Sequence, residues 1–383
     1  MNKLDVAVDK KLILALPTDN AGCGYIRMYT PLNYLNSIYG IKKNLSVLFS
    51  PSFLHQEDML SVTYSIFLQR QMTHAHVKNI MKYVDRRNDL KYRLVYDIDD
   101  YIWDYNELQG GSKDLGVPSY NFGYKGVTKE HKNNSTEIMK VCDKITVSTE
   151  PLKDYIKNTL KVETPIEVLK NTIPLHLWGN TKKNPIKEDI KKPKVIYTGS
   201  PTHYKNPRKD DPSKKLGDFE NAWKDWIIKS VKEDKIEFHC LGGLPWFFED
   251  IKSKIKVYHW IDYYRYHLLI KHINPDFGIM PIVPNMFNQC KSDVKFIEYC
   301  AGGIVGVGTS FKGTNFISPY EDMPQKLPHD CSIEDIEEKF KELSSKDNYN
   351  KSLEDQYEIL YKDRFTESSE YINQLVNILV KPS

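Results

Sequence analysis

Four stretches of this 383-residue chain place glycine, hydroxyl, carboxylate and cationic side chains at spacings suited to chemistry. In Pro17-Thr-Asp-Asn-Ala-Gly22-Cys-Gly24-Tyr-Ile-Arg27, Gly22 and Gly24 let the backbone approach a ligand closely, and amides at a helix start attract an anion. Arg27 stands where a GxGxxG loop would carry its third glycine, and could itself meet a phosphate. Tyr96-Asp97-Ile98-Asp99-Asp100-Tyr-Ile-Trp103-Asp104 sets four carboxylates close together. They could bind Mg²⁺, supply a base or hold a ligand hydroxyl; a solvated turn with a helix cap is the structural alternative. The third stretch, Tyr197-Thr198-Gly199-Ser200-Pro201-Thr202-His203-Tyr204-Lys205, offers backbone amides, an imidazole and an ammonium to a diphosphate. The fourth runs from Asn285 through Asn288, Lys291, Ser292, Asp293, Lys295 and Glu298 to Gly302-Gly303. Its spacing puts Lys291, Lys295 and Glu298 near one helix face, with Ser292 or Asp293 as N-cap. A cation and a hydroxyl at that helix start aim at phosphate, and Glu298, about two turns on, can take both hydroxyls of a ribose.

Each stretch follows an expected strand. Short apolar or β-branched runs alternate with amphipathic ones, the signature of β-α units and parallel sheets. Strands are expected at 11–16, 45–49, 64–68, 92–98, 144–148 and 166–169, with helices at 73–83, 129–142 and 151–160. Residues 171–193, polar, lysine-rich and interrupted by prolines, read as a linker. Alternation then resumes with strands at 194–198, 236–240, 256–260, 277–281 and 304–307, helices near 219–232, 263–273 and 293–301, and two or three helices between Ile333 and Val380. Two successive parallel-sheet domains are the expectation. Ligands of such sheets lie beyond the carboxyl ends of the strands, which makes the cleft between the domains the natural site.

Composition narrows the class. Lys+Arg 54 against Asp+Glu 51 leaves +3, too little on so long a chain to indicate nucleic acid by itself. With 40% hydrophobic and 27% charged residues, disordered, collagen-like and coiled-coil classes are excluded. No apolar run approaches the roughly 18 to 20 residues of a membrane span, and a soluble cytoplasmic protein is expected. The six cysteines form no CxxC pair, which supports neither a disulfide scaffold nor a zinc module. His74-Ala-His76, Arg86-Arg87 and Tyr263-Tyr-Arg-Tyr266 read as helix surface or packing. Only 8 of the 54 basic residues are Arg, a bias of A/T-rich genomes. Local charge is less even: residues 181–215 hold 11 Lys/Arg and 4 Asp/Glu, and 11 − 4 gives +7, fitting a solvated linker or a polyanion-facing loop.

The order GCGYIR, LVYDIDDYIWD, YTGSPTHYK and FNQCKSDVKFIEYCAGG resembles the GT-B superfamily of nucleotide-sugar glycosyltransferases, in its retaining, family-4-like branch. The resemblance spans roughly residues 11 to 310 and is most specific in the fourth stretch. It implies two Rossmann-like domains: residues 1–175 for the acceptor, with a C-terminal helix at 365–383 packing back onto them, and residues 185–364 for the donor. It matches Glu298 to the acid that holds the donor ribose, Gly199 to the glycine beneath the diphosphate, and Lys205 to the cations that neutralise it. The family places another Glu seven residues before the ribose acid, where this chain has Lys291.

What the resemblance implies for chemistry is transfer of a sugar from a nucleotide-diphosphate sugar, a UDP-sugar first, with retention and no required metal or other cofactor. Lys205, Lys291, His203 and the Gly199 amide would stabilise charge on the departing phosphate, with Ser200, Asn288 and Ser292 completing the donor site and Asp99 or Asp100 orienting the acceptor hydroxyl. The lysine-rich, A/T-biased chain with a basic loop at 202–215 further resembles the T-even-type phage enzymes that add glucose or arabinose to 5-hydroxymethylcytosine, which makes double-stranded DNA the expected partner. The alternatives are a transferase for surface polysaccharide or lipid-linked sugar, with Trp246-Phe-Phe248 as a membrane-facing patch, and a non-catalytic polyanion-binding module.

Overall fold

The computed structural model describes residues 12–103, 129–179, 182–199, 203, 217–219 and 221–380. They form two compact units, one from residues up to Trp103, 129–174 and Thr366 onward, the other from Leu175–Phe365.

The first unit is a six-stranded sheet of β1 (Leu12–Leu16), β2 (Ser46–Phe49), β3 (Thr63–Gln69), β4 (Arg93–Ile98), β5 (Lys144–Val147) and β6 (Ile166–Val168). The order is β2-β1-β3-β4-β5-β6, with every pairing parallel. Ile13, Leu14, Phe67, Val95 and Val147 are fully buried because helices cover both faces of such a sheet. Thr73 and Thr149 start the helices His74–Leu90 and Glu150–Asn158 by accepting from backbone amides three residues on. The helix Ser369–Leu379 buries Tyr371, Ile372, Leu375 and Ile378 against Ile13, Ala15, Phe67 and Val95.

The second unit repeats the design with β7 (Lys194–Thr198), β8 (Glu237–Leu241), β9 (Lys256–Tyr258), β10 (Phe277–Met280), β11 (Val305–Ser310) and β12 (Lys326–Pro328). Their order is β12-β11-β10-β7-β8-β9, again all parallel. Aromatic side chains fill the core, with Trp223, Trp226, Phe238, Phe277, Phe340 and Tyr349 all buried.

The structure departs from the sequence expectations in three places. The edge strand β12 carries a proline and no apolar run, so nothing local announces it. The first part of the expected linker is built into the units: Asn171, Thr172 and Ile173 are buried, and Trp178 packs edge-on to Tyr266 with ring centroids 5.5 Å apart, whereas residues 184–192 form no helix or strand and are mostly exposed, as expected. Further on, Lys183 Nζ donates to the Tyr349 hydroxyl at 3.1 Å and to the Pro275 carbonyl at 3.3 Å. Lys183 thereby satisfies neighbouring carbonyl and hydroxyl groups, where composition alone presents it as solvated. Third, Trp246-Phe-Phe248 is no membrane patch, because Phe248 is fully buried and Phe247 packs 5.2 Å from Phe219. Among the described residues no helix is long and apolar enough to cross a membrane.

Candidate functional site

In the second unit the candidate residues gather beyond the carboxyl ends of β7 and β10. Gly199 follows β7 and donates its N–H to the Leu241 carbonyl at 3.0 Å. A Cβ there would lie 2.5 Å from the Tyr197 hydroxyl oxygen, so a larger residue displaces that ring. After β10 a short helix, Met286–Cys290, starts at Asn285, whose side chain accepts from the Asn288 amide at 2.8 Å. The chain is extended at Lys291, and a second helix runs from Val294 to Gly302. Lys291 therefore precedes the helix that carries Lys295 and Glu298 instead of sharing its face. Asp293 makes no side-chain cap, because its carboxylate is gripped by Arg364 at 2.5 and 2.6 Å.

The centre of this cluster is Asp218, which the sequence reading did not single out. Fully buried in the single 3₁₀ turn Gly217–Phe219, it accepts from Asn288 Nδ2 at 2.9 Å and lies 2.7 Å from His203 Nδ1. Lys291 Nζ stands 3.7 Å from Asp218, 3.1 Å from His203 Nδ1 and 4.5 Å above the Phe287 ring. Burial pushes the Asp218 carboxyl up, but the Lys291 charge and the hydrogen bonds from His203 and Asn288 overcome it and bring the pKa down to about 2. For His203, burial and then the Lys291 and Lys295 charges outweigh Asp218 and lower the pKa to about 3. Burial and the two lysines thus favour the neutral ring.

On the helix, Lys295 sits 4.8 Å above the Tyr197 ring, and burial, followed by repulsion from Lys291, lowers its pKa to about 8. Glu298 accepts from the Tyr266 hydroxyl at 3.2 Å, and burial raises it to about 7 against that bond and the Lys295 charge. Tyr266 belongs to the run read from sequence as packing; its hydroxyl is what that reading missed. Lys291 and Lys295 outnumber Asp218 in this cluster, a balance suited to a polyphosphate, with the Glu298 carboxyl group about one turn from the helix start. Ser200, Lys205 and the basic loop 202–215 apart from His203 lie outside the described residues.

The candidates of the first unit are drawn into internal pairs. Asp19 Oδ1 accepts from the amides of Ala21 at 2.8 Å and Gly24 at 3.1 Å, so its carboxylate fills the place expected for a ligand anion at the Gly22-Cys-Gly24 turn. Arg27, 1% exposed, is paired with Asp97 at 2.5 Å and also donates to the Leu169 carbonyl and to Asn171. Its guanidinium is committed to the interior, which corrects its expected contact with phosphate. Arg70, unremarked in the sequence, lies 2.5 Å from Asp99, 3.2 Å from Asp100 and 3.3 Å from Cys23 Sγ. Cys23, Asp99 and Asp100 form the one group among the described residues whose ligand atoms are close enough for a metal, and a guanidinium already supplies that positive charge.

No family profile matches the chain, and no curated protein matches its sequence. Similar folds occur among solved structures. A glycosyltransferase of Rickettsia africae superposes with a TM-score of 0.59 at 12% identity, over 98% of this chain and 100% of that one. Sucrose-phosphate synthase of Thermosynechococcus elongatus gives 0.58 at 9% identity, over 96% and 98%. Anabaena HepE, in complex with UDP and glucose, gives 0.55 at 8% identity, over 97% and 100%. The fold is that of the GT-B glycosyltransferases, with two six-stranded parallel sheets.

Proposed function

We propose that the protein is a glycosyltransferase that draws its sugar from a nucleotide-diphosphate sugar, with UDP-sugars as the donor class. One observation carries the reading: in the second unit, Lys291 lies just before the helix Val294–Gly302, which carries Lys295 in its first turn and Glu298 about one turn from its start. That spacing suits a diphosphate joined to a ribose. Breaking the bond between the anomeric carbon and the phosphate oxygen leaves negative charge on the nucleotide diphosphate. Lys291 and the helix amides, with Gly199, Ser200 and Lys205 contributing from the preceding loop, stabilise that charge more in the transition state than in the ground state. Fixed cations then do the work of a divalent ion. In a retaining, front-face reaction the departing phosphate takes the acceptor's proton, and the first unit has only to orient the acceptor hydroxyl, the role we assign to Asp99 or Asp100, of which Asp100 is the less buried partner of Arg70. Incubation with a panel of nucleotide sugars tests the reading: release of nucleotide diphosphate from at least one donor is expected, and release from none overturns it in favour of a binding module.

For the acceptor we propose 5-hydroxymethylcytosine in double-stranded DNA. The support is the +7 excess over residues 181–215, counted as 11 − 4, together with the lysine-rich composition. Mass shifts in nucleosides digested from hydroxymethylated DNA are the readout. A lipid-linked or surface-polysaccharide acceptor is the second reading, favoured by the exposed Tyr264 and Leu268, four residues apart on the helix Tyr263–Ile273, and the exposed Trp260 just before it.

A further inference from the structure

We infer that His203 and Asp218 form a dyad in which His203 Nε2 accepts a hydrogen bond from a hydroxyl of the transferred sugar, with Asp218 as the positioning residue. The inference rests on the donor reading above and names a contact that reading lacks.

The argument is one of proton placement. His203 Nδ1 lies 2.7 Å from Asp218 Oδ2, a distance at which a bare nitrogen and an ionised carboxylate would repel; the proton must lie between them. Lys291 Nζ, 3.1 Å from the same nitrogen, can offer it only a second donor, and turns its own protons toward Asp218 and the open side of the pocket. A neutral ring protonated at Nδ1 leaves a lone pair on Nε2. That atom has no hydrogen-bond partner among the described residues, and the imidazole is 21% exposed. Asn288 Nδ2 holds the other carboxylate oxygen at 2.9 Å, so the dyad is fixed from a third segment.

An acceptor lone pair selects its ligand. Ionised phosphate oxygens are acceptors as well and cannot satisfy Nε2, so the partner is a donor, and in a nucleotide sugar the donors outside the base are hydroxyls. The ribose hydroxyls belong to Glu298 in the proposed site. Nδ1 is 3.1 Å from Lys291, the cation assigned to the diphosphate, and the group attached at that end is the sugar. His203 then reads the sugar without adding charge to the phosphates.

The test uses the full chain with UDP and UDP-glucose as probes, together with ¹⁵N spectra of the histidine ring. In the unaltered protein, Nδ1 should be protonated and Nε2 bare between pH 6 and 8. His203→Asn keeps a donor for Asp218 but lacks Nε2, and should weaken UDP-glucose binding about tenfold while leaving UDP binding unchanged. Asp218→Asn should shift the ring proton to Nε2, which a merely structural role would not do, and should lower the affinity for UDP-glucose relative to that for UDP. Equal losses for UDP and UDP-glucose in His203→Asn, or an Nε2-bound proton in the unaltered chain, would overturn the dyad. Failure of the unaltered chain to bind either probe would overturn the donor reading itself, and with it the sugar as the ligand.

Discussion

Arg27 and Asp97 form an ion pair 2.5 Å apart at 1% and 0% side-chain exposure, joined by Thr146, whose hydroxyl donates to Asp97 at 2.6 Å. Two charges that look like ligand groups in the sequence thereby anchor the turn after β1 to the carboxyl end of β4. Asp97→Asn leaves a buried guanidinium without its counter-charge and should destabilise the first unit by about 3 to 5 kcal/mol, read from urea unfolding. Replacing both partners by apolar residues should recover much of that loss. A full-strength fold in Asp97→Asn would show the pair to be incidental.

Lys291, with its side chain 12% exposed, stands beside Asp218 and His203 in the proposed donor site. Lys291→Ala should lower sugar transfer by orders of magnitude, and Lys205→Ala should act in the same direction. Near-normal turnover in both variants would refute the diphosphate assignment.

In the proposed donor site, Glu298 should make binding depend on pH. Its pKa stands at about 7 against an ordinary 4.5, so the folded state holds this proton more tightly than the unfolded chain. On its account stability declines as pH rises from about 4.5 to about 7. Accepting both ribose hydroxyls requires the carboxylate, and UDP affinity should therefore rise as pH passes through about 7. Above about 8 it should fall again as Lys295 loses its charge. Calorimetric titrations from pH 5.5 to 9 should show both limbs in the unaltered protein and no acid limb in Glu298→Gln.

A polyanionic acceptor would reveal itself in salt dependence. Retention on heparin and binding to hydroxymethylated duplex DNA should weaken steeply between about 50 and 200 mM salt. Binding insensitive to salt would count against a DNA acceptor and leave donor chemistry untouched.

Much of the scaffold was legible from local pattern. The strand Lys194–Thr198 and the helix Tyr263–Ile273 have the bounds their sequences suggest, because a strand buried on both faces is an unbroken apolar run and this helix has Asp262 at its start and a left-handed Asn274 at its end. The two parallel sheets follow from alternation of such segments. Of the proposed donor site, Gly199, Asn288, Lys291 and Glu298 were visible as a polar series beyond strand ends.

Which charges are spent and which are offered was settled only in three dimensions. Asp97 meets Arg27 across 70 positions, and Lys291 approaches His203 across 88. Asp218, at the end of a lysine-rich loop, has no neighbour in the sequence to mark it. A side chain's type states what it can bind. Whether a partner already occupies it depends on which distant segments the sheets bring together, since in a buried setting an ionised group persists only beside its counter-charge or donors.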